Sequence, residues 1–302
     1  MELGRTIKIY LDNGSVTGIK HSEIVNWSGQ AMSSPRSLIK KLKDWTEAQR
    51  PGVYFLFGLD KNGTDSVYIG ESENVFERLA QHLSDPKKDF WDEVVFFTSK
   101  DENLTKAHVK FLESKLTLLA KNANRYKVLN GNSPQESKLP RGDSDSMEEF
   151  INNIRILIGA MSHKVLEPIY QQQSINETQL NNININKIKI SNSDLYLNIN
   201  KIVAKAIFTE EGIIVKKDSE AFSKEKASLG LSYKNLRSKL QEEGVLITNR
   251  DKLVFTKDYL FPSPSQAAAV IVGYSINGRQ SWCLTDGTTL KEYEEKQIKQ
   301  VI

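Results

Sequence analysis

Residues 51–83 read PGVYFLFGLDKNGTDSVYIGESENVFERLAQHL, and this stretch decides the fold of the N-terminal half of the chain. The segments GVYFLFGL and DSVYIG are rich in β-branched and aromatic residues, which favour strands. They are joined by DKNGT, whose Asn62-Gly63 pair is typical of tight hairpin turns. We therefore expect an antiparallel hairpin with a glycine and a tyrosine close together on each strand.

A helix is predicted immediately after the hairpin. In NVFERLAQHL, Val75 and Leu79 fall on one apolar stripe at helical spacing. Arg78 and His82 are four residues apart, so their side chains lie on one surface of the same helix. The hairpin is therefore followed at once by an arginine and a histidine that face the same way.

The remaining N-terminal segments complete an α+β pattern. We predict a third strand in DEVVFFTSK, a long helix in NLTKAHVKFLESKLTLLAKNANR and a further helix in MEEFINNIRILIGAM. A hairpin is expected in residues 5–27, followed by a short helix in PRSLIKKLKDW. The predicted fold class is α+β, with a small mixed or antiparallel sheet flanked by helices and a second α+β domain after it.

Length and composition indicate how the chain divides. A chain of 302 residues is long enough for two domains of about 100 to 200 residues each. We expect a β lead-in with a short helix at residues 1–48, a first domain at 49–165 and a C-terminal domain at 201–302. Residues 166–200 are rich in Asn, Gln and Ser, a composition unsuited to a dense core, and are predicted to be a linker.

The bulk properties of the chain exclude several classes of protein. Its 41 Lys and Arg against 38 Asp and Glu give a formal charge of +3, so any basic surface must be local. Cys283 is the single cysteine, which rules out an intrachain disulfide, and no Cys/His pair has zinc-site spacing. The stretch MELGRTIKIYLDNG carries no apolar signal core, and no apolar run approaches the ~20 residues that span a bilayer. We therefore expect a cytoplasmic protein without a membrane partner.

Five features of the first domain occur in a fixed order: GVY at 52–54, YIG at 68–70, Arg78, His82, and Glu113 in the next long helix. Together they resemble the GIY-YIG nuclease superfamily, although the first tripeptide has Val in place of Ile. The resemblance covers about residues 50–135. It implies that residues 49–165 form a divalent-metal-dependent endonuclease domain that hydrolyses phosphodiester bonds, in DNA rather than RNA.

The resemblance assigns roles to three of these side chains. Glu113 would hold a divalent metal, Mg²⁺ with Mn²⁺ as a substitute, and one carboxylate suffices because bound Mg²⁺ keeps several water molecules. The planar guanidinium of Arg78 would clamp the phosphate. His82 would donate a hydrogen bond to the scissile phosphate or orient it.

Tyr54 and Tyr68 complete the implied catalytic set. They lie on adjacent strands of the predicted hairpin, so their hydroxyls can converge on the attacking water and the phosphate. The resemblance makes Tyr54 the general base. That role requires the site to lower the pKa of a phenol from its ordinary value of ~10.

The family also places an asparagine beyond the long helix, where it supports the site. Asn124, Asn130 and Asn132 are all available in this chain. We prefer Asn130 because YKVLN has the pattern of a strand that returns to the sheet.

Two other interpretations of the same residues stay open. Tyr54 and Tyr68 can be strand tyrosines that pack in a core with satisfied hydroxyls. The chain can also be a non-cleaving nucleic-acid-binding or regulatory protein built on a GIY-YIG fold. Metal separates this alternative from the enzyme, because cleavage requires Mg²⁺ and Glu113 whereas binding alone survives Glu113→Ala and a chelator.

The C-terminal segments carry a second pattern. LVFTKDYLFPSPSQAAAVIVG together with GYSINGRQSWCLTDGTTLKEY resembles the DUF4357-type domain often fused to GIY-YIG domains, over about residues 203–297. It holds no acid/base or metal cluster. We expect this domain to select or position the nucleic acid through basic and aromatic residues, namely Lys234, Arg237, Lys239, Tyr274, Arg279 and Trp282. The alternative is a folding module with ordinary surface charges.

Overall fold

The structure of the protein is a computed structural model that describes residues 4–101, 103–131, 138–168 and 194–301. The chain forms two compact units, Met1–Ile169 and Tyr170–Ile302. Both contain helices and mostly antiparallel sheets, so the predicted α+β class is confirmed. Of the predicted linker at 166–200, residues 169–193 lie outside the described residues.

The N-terminal unit is built on one seven-stranded sheet. Its strands are β1 (Ile7–Leu11), β2 (Lys20–Ile24), β3 (Gly29–Pro35), β4 (Gly52–Leu59), β5 (Asp65–Ser72), β6 (Trp91–Ser99) and β7 (Lys127–Val128). They lie side by side in the order β1-β2-β3-β6-β4-β5-β7. Neighbours are antiparallel except β5 and β7, which are parallel. The predicted hairpin is formed by β4 and β5.

Residues 1–48, expected as a separate lead-in, contribute three strands to this same sheet. The hairpin expected in residues 5–27 is β1 and β2. Strand β3, with the sequence GQAMSSP, was not predicted because it has no β-branched or aromatic residue. Its seven residues pair with β6 from Gly29 opposite Ser99 to Pro35 opposite Glu93, so pairing rather than propensity makes it a strand.

Helices cover the two faces of the sheet. The α-helices are α1 (Val75–Leu83), α2 (Lys106–Ala123) and α3 (Arg141–Ala160). The first two lie within their predicted segments, whereas α3 begins six residues before the predicted segment MEEFINNIRILIGAM. The 3₁₀ helices are Asp12–Gly14, Arg36–Asp44, Thr46–Gln49 and Pro86–Lys88. The short helix expected in PRSLIKKLKDW is the 3₁₀ helix Arg36–Asp44, with Ile39 and Leu42 buried.

Strand β4 sorts its side chains onto the two faces of the sheet. Val53, Phe55 and Phe57 pack with α2 and α3. Tyr54 and Leu56 pack on the opposite face, with α1 and the 3₁₀ helix that follows β3. Because successive residues of a strand point to opposite faces, the pleat alone directs Tyr54 towards α1.

The C-terminal unit contains two antiparallel sheets. Its strands are β8 (Asp194–Ile199), β9 (Ile202–Thr209), β10 (Gly212–Val215), β11 (Glu220–Phe222), β12 (Leu246–Asn249), β13 (Lys252–Phe255) and β14 (Tyr259–Phe261). The two sheets have the strand orders β14-β10-β9-β8 and β11-β13-β12. The helices are α4 (Leu231–Glu242), α5 (Pro264–Val272), α6 (Gly278–Ser281) and α7 (Leu290–Val301). None of the helices in the described ranges combines the length and apolar character needed to cross a bilayer.

Two C-terminal residues expected at a nucleic-acid surface are buried. Arg237 is 1% exposed, and its guanidinium donates to the carbonyl oxygens of Val270 and Phe222. Trp282 is 0% exposed and donates from Nε1 to the carbonyl oxygen of Pro264 at 3.1 Å. The expectation that Arg237 and Trp282 contact nucleic acid was wrong, because both side chains are bound inside the C-terminal unit.

Gly52, at the start of β4, has no room for a side chain. A Cβ at this position would lie less than 3.0 Å from the carbonyl oxygen of Phe97 on the neighbouring strand. We expect Gly52→Ala to lower the free energy of unfolding of the N-terminal unit by about 1–3 kcal/mol, because overpacking forces the two strands apart. Native-state hydrogen exchange of the β4 and β6 amides measures this loss.

Gly159 provides the matched control. It lies in the last turn of α3, and a Cβ there would meet nothing within 4 Å. Gly159→Ala should leave the stability unchanged or raise it by up to about 1 kcal/mol, because alanine is the better helix former. Equal effects of the two substitutions on amide exchange would contradict the steric account of Gly52.

Candidate active site

A buried hydrogen bond between Tyr54 and His82 lies at the centre of the candidate site. The Tyr54 hydroxyl and His82 Nε2 are 2.8 Å apart, and the two residues are 0% and 4% exposed. Arg78 donates from Nε to the same hydroxyl at 3.4 Å. The direction of the Tyr54–His82 bond depends on the imidazole tautomer: the phenol donates to Nε2 when the neutral ring carries its proton on Nδ1.

Helix α1 positions Arg78 and His82 as the sequence predicted. The helix begins at Val75, after Asn74, whose side-chain oxygen accepts from the Glu77 backbone N–H at 3.1 Å. Val75 is buried against the β4 face that carries Tyr54. This anchoring turns the next helical face, with Arg78 and His82, towards the tyrosine hydroxyl.

Gly70 of the YIG tripeptide makes room for Tyr54. The two residues lie opposite each other in the β4–β5 register. A Cβ on residue 70 would lie less than 3.0 Å from the Tyr54 hydroxyl oxygen and from Cζ of the ring. The phenol therefore lies across the glycine, and a larger residue at position 70 would displace the hydroxyl that His82 binds.

Tyr68 and Lys88 form a second layer of the same cluster. The half-buried Tyr68 ring lies with its centroid 6.3 Å from that of Tyr54 and 5.8 Å from that of His82. Lys88 Nζ is 2.9 Å from the Tyr68 ring centroid, a cation–π contact. Lys88 was not predicted to lie at the site, because it reaches the cluster through the 3₁₀ turn Pro86–Lys88, at no regular spacing from Arg78.

Burial and two neighbouring cations keep His82 neutral. Burial, then the charges of Arg78 and Lys88, lower the pKa of His82 to about 4. Burial also lowers the pKa of Lys88 to about 8, with Arg78 as a further cause that Asp85 opposes. At neutral pH the imidazole is therefore uncharged and can accept a hydrogen bond, whereas Arg78 and Lys88 supply positive charge.

Burial shifts the two tyrosines away from ionisation. It raises the pKa of Tyr54 well above its ordinary value, and the neighbouring Tyr68 and Glu113 act in the same direction. The pKa of Tyr68 is also raised, chiefly by burial and then by Glu113. The structure thus gives the opposite of the lowered pKa that a phenolate base at Tyr54 would require, and Tyr54 holds its proton at neutral pH.

Glu113 lies on α2, close enough for its charge to act on both tyrosines. Burial, then the charge of Glu71, raise the pKa of the half-buried Glu113 to about 7, while Arg78 opposes the rise. The structure therefore brings Tyr54, Tyr68, Arg78 and Glu113 into one electrostatic cluster with His82.

The implied divalent metal can be tested against the side chains present. Among the residues that the structure describes, no three His, Cys, Asp or Glu side chains converge as a metal site. Beside Glu113, however, the Oε2 atom of Glu71 is buried without a hydrogen-bond partner. Carboxylate oxygens are the protein ligands that Mg²⁺ prefers, and the ion keeps several waters. The residues around Glu113 therefore fit a divalent cation.

Asn130 is joined directly to the YIG strand. Its Oδ1 accepts from the Ile69 N–H at 3.0 Å and its Nδ2 donates to the Ile69 carbonyl oxygen at 2.7 Å. Asn124 instead ends α2 with a φ of 53°. Asn132 lies outside the described residues. Of the candidates that are described, Asn130 is thus the one placed to support β5.

Comparison with protein-family models supplies one match. Residues 195–294 match the family described as "Domain of unknown function (DUF4357)". The C-terminal unit contains a DUF4357 domain. The match begins inside the segment predicted to be a linker, in strand β8, which pairs with β9. Comparisons with curated proteins and with solved structures gave no match.

The paired hydrogen bonds of Asn130 predict a local effect on β5. Asn130→Ala removes both partners of Ile69, and leaving part-buried backbone groups unpaired costs about 1–3 kcal/mol. We expect faster hydrogen exchange of the Ile69 amide. Asn122→Ala, an exposed asparagine in the last turn of α2, is the control and should leave that amide protected. Unchanged exchange in Asn130→Ala would show that the two bonds do not hold β5.

The neutral state of His82 predicts a pH dependence. NMR titration should give a His82 pKa near 4, and Arg78→Gln should raise it part of the way towards 6.5, since burial remains. Between these pH values the unfolded chain binds a proton at this position and the folded protein does not. The free energy of unfolding should therefore fall as pH is lowered from 6.5 towards 4. A titration at the ordinary pKa would contradict the buried Tyr54–His82 pair.

Proposed function

We propose that the N-terminal unit is a GIY-YIG-type endonuclease that hydrolyses phosphodiester bonds in DNA with a divalent metal, and that the DUF4357 domain selects or positions the substrate. The observation that carries the proposal is the buried Tyr54–His82 hydrogen bond beside Arg78 and Glu113. Two strand tyrosines packed only as core would not require a neutral imidazole, a guanidinium and a carboxylate around their hydroxyls.

The Tyr54–His82 pair offers a path for the proton of the attacking water. Tyr54 holds its proton at neutral pH and can donate to His82 Nε2, so a water that binds the phenol oxygen can pass its proton to Tyr54 as Tyr54 passes its own to His82. The water oxygen then bonds to phosphorus and the bond to the leaving 3′ oxygen breaks. This path assigns His82 the role of proton acceptor instead of phosphate donor.

Positive charge near the path fits the phosphate. Arg78 has its guanidinium at the Tyr54 hydroxyl, and the ammonium of Lys88 lies over the neighbouring Tyr68 ring. Charge builds on the phosphoryl oxygens during hydrolysis, and fixed cations in a partly dry site stabilise it strongly. When bound at Glu113, a divalent ion would add Lewis-acid stabilisation of the same charge and help the 3′ oxygen to leave.

Cleavage assays test the proposal. Wild type, Glu113→Gln and Tyr54→Phe are incubated with labelled single-stranded DNA, duplex DNA and RNA, each with Mg²⁺, Mn²⁺ or chelator, and cleavage is scored beside binding. We expect metal-dependent cutting of DNA that falls about 10²–10⁴-fold in Tyr54→Phe, the usual loss on removal of an acid–base group. Glu113→Gln should abolish cutting.

Glu149→Gln, which removes an exposed carboxylate from α3, is the control and should cut like wild type. Binding that persists in chelator and in Glu113→Gln, with no cutting under any condition, would favour the non-cleaving nucleic-acid-binding alternative. Cutting confined to RNA would keep the nuclease and reassign its substrate.

A further inference from the structure

Glu71 is a carboxylate that the proposed reaction does not yet use. It follows Gly70 on β5 and pairs in register with Val53 of β4. Alternation along the strand puts it on the same face as Val67 and Ile69, which pack against α2, the helix that carries Glu113. Glu71 and Glu113 are thus distant in sequence but share one face of the sheet.

One carboxylate oxygen of Glu71 lacks a hydrogen-bond partner among the described residues. The Oε2 atom is buried and has no hydrogen-bond partner in the described structure. The charge of Glu71 acts on Lys106, whose ammonium donates its hydrogen bond to Glu73 at 2.7 Å. A buried carboxylate oxygen without a partner is costly, and in native proteins such an atom is commonly explained by an unseen water or ion.

The neighbouring carboxylate of Glu113 favours an ion, rather than a water, as the missing partner of Glu71 Oε2. The charges of Glu71 and Glu113 act on each other across the space between β5 and α2. Two like charges in a half-buried site repel each other, and a bridging water does not remove this repulsion. A divalent cation neutralises both and supplies the missing partner of Oε2. Two carboxylates, substrate phosphate and several waters also make a coordination set that suits Mg²⁺.

We propose that Glu71 is a second carboxylate ligand of the divalent ion held by Glu113. This inference rests on the metal dependence of the proposed function and adds a ligand to it. Glu71 is three residues beyond Tyr68 on the same strand, so the ion and the site tyrosine are held by one rigid segment. Asn130, bonded to Ile69 between them, fixes that segment.

Mn²⁺ binding to the full chain without nucleic acid tests this ligand. Free Mn²⁺ is measured by electron paramagnetic resonance for wild type, Glu71→Gln, Glu113→Gln and Glu73→Gln. We expect Glu71→Gln and Glu113→Gln each to weaken binding about 10-fold or more, at least the loss seen when a supporting group of a metal site is removed. Glu73→Gln removes the same charge two residues away, from an exposed side chain, and should bind like wild type.

Thermal unfolding gives a second readout that separates ligation from folding. With chelator, Glu71→Gln should unfold at the wild-type temperature or above, because the repulsion between the Glu71 and Glu113 charges has been removed. Added Mn²⁺ should raise the unfolding temperature of wild type and of Glu73→Gln, but much less that of Glu71→Gln. If Glu71→Gln does not fold, Glu71→Asp keeps the charge on a shorter side chain and should show intermediate binding.

The outcomes distinguish this inference from the proposed function. Wild-type Mn²⁺ affinity in Glu71→Gln, with binding lost in Glu113→Gln, overturns the role of Glu71 and leaves the nuclease proposal intact. Absence of Mn²⁺ binding in wild type also overturns the role of Glu71, and the DNA cleavage assay then tests the nuclease proposal separately. Binding lost in both variants without any cleavage supports the two-carboxylate site and contradicts the nuclease.

Discussion

Strand β4 lies between β5 and β6 and has packed layers on both of its faces, and the rest of the N-terminal unit is arranged around this constraint. Of the five successive buried side chains at 53–57, three face α2 and α3, and two face α1. Tyr54 is one of the two. Its hydroxyl can be buried only if α1 supplies a hydrogen-bond partner, and His82 is that partner.

Burial shifts the pKa values of the ionisable groups in the candidate site away from their ordinary values. His82 has a lowered pKa, while Glu113 and both tyrosines have raised ones. Each shift disfavours the charged form, so the site in this state carries positive charge at Arg78 and has much of its negative charge suppressed. Such a balance suits a polyanion, because phosphate brings the missing negative charge. Shifts of this kind concentrate at functional sites, although structural clusters also produce them.

The sequence predicted those parts of the molecule that depend on local pattern. Turn chemistry at Asn62-Gly63, the apolar stripe of α1 and the strand pattern before Asn130 located the hairpin, the Arg–His surface and the supporting amide. Long-range contacts could not be predicted from local pattern. Strand β3 forms because it pairs with β6. Lys88 approaches the cluster from a 3₁₀ turn, and Glu71 approaches it from the end of β5. Arg237 was misjudged because a basic residue on an amphipathic helix normally stays exposed, whereas here backbone carbonyls bind its guanidinium inside the core.

The two hydrogen bonds between Asn130 and Ile69 also cover the edge of strand β5 beyond the end of β7. Strand β7 is only two residues long, so beyond Val128 the backbone of β5 would face outwards with a free donor and acceptor. Exposed strand edges invite pairing with other chains and aggregation. The Asn130 amide presents one acceptor and one donor, as a strand backbone does, and occupies both Ile69 groups. The chain thereby shields the YIG strand from foreign strands without the bulk of a longer β7, which would have covered the end of the sheet where Tyr68 and Glu71 lie.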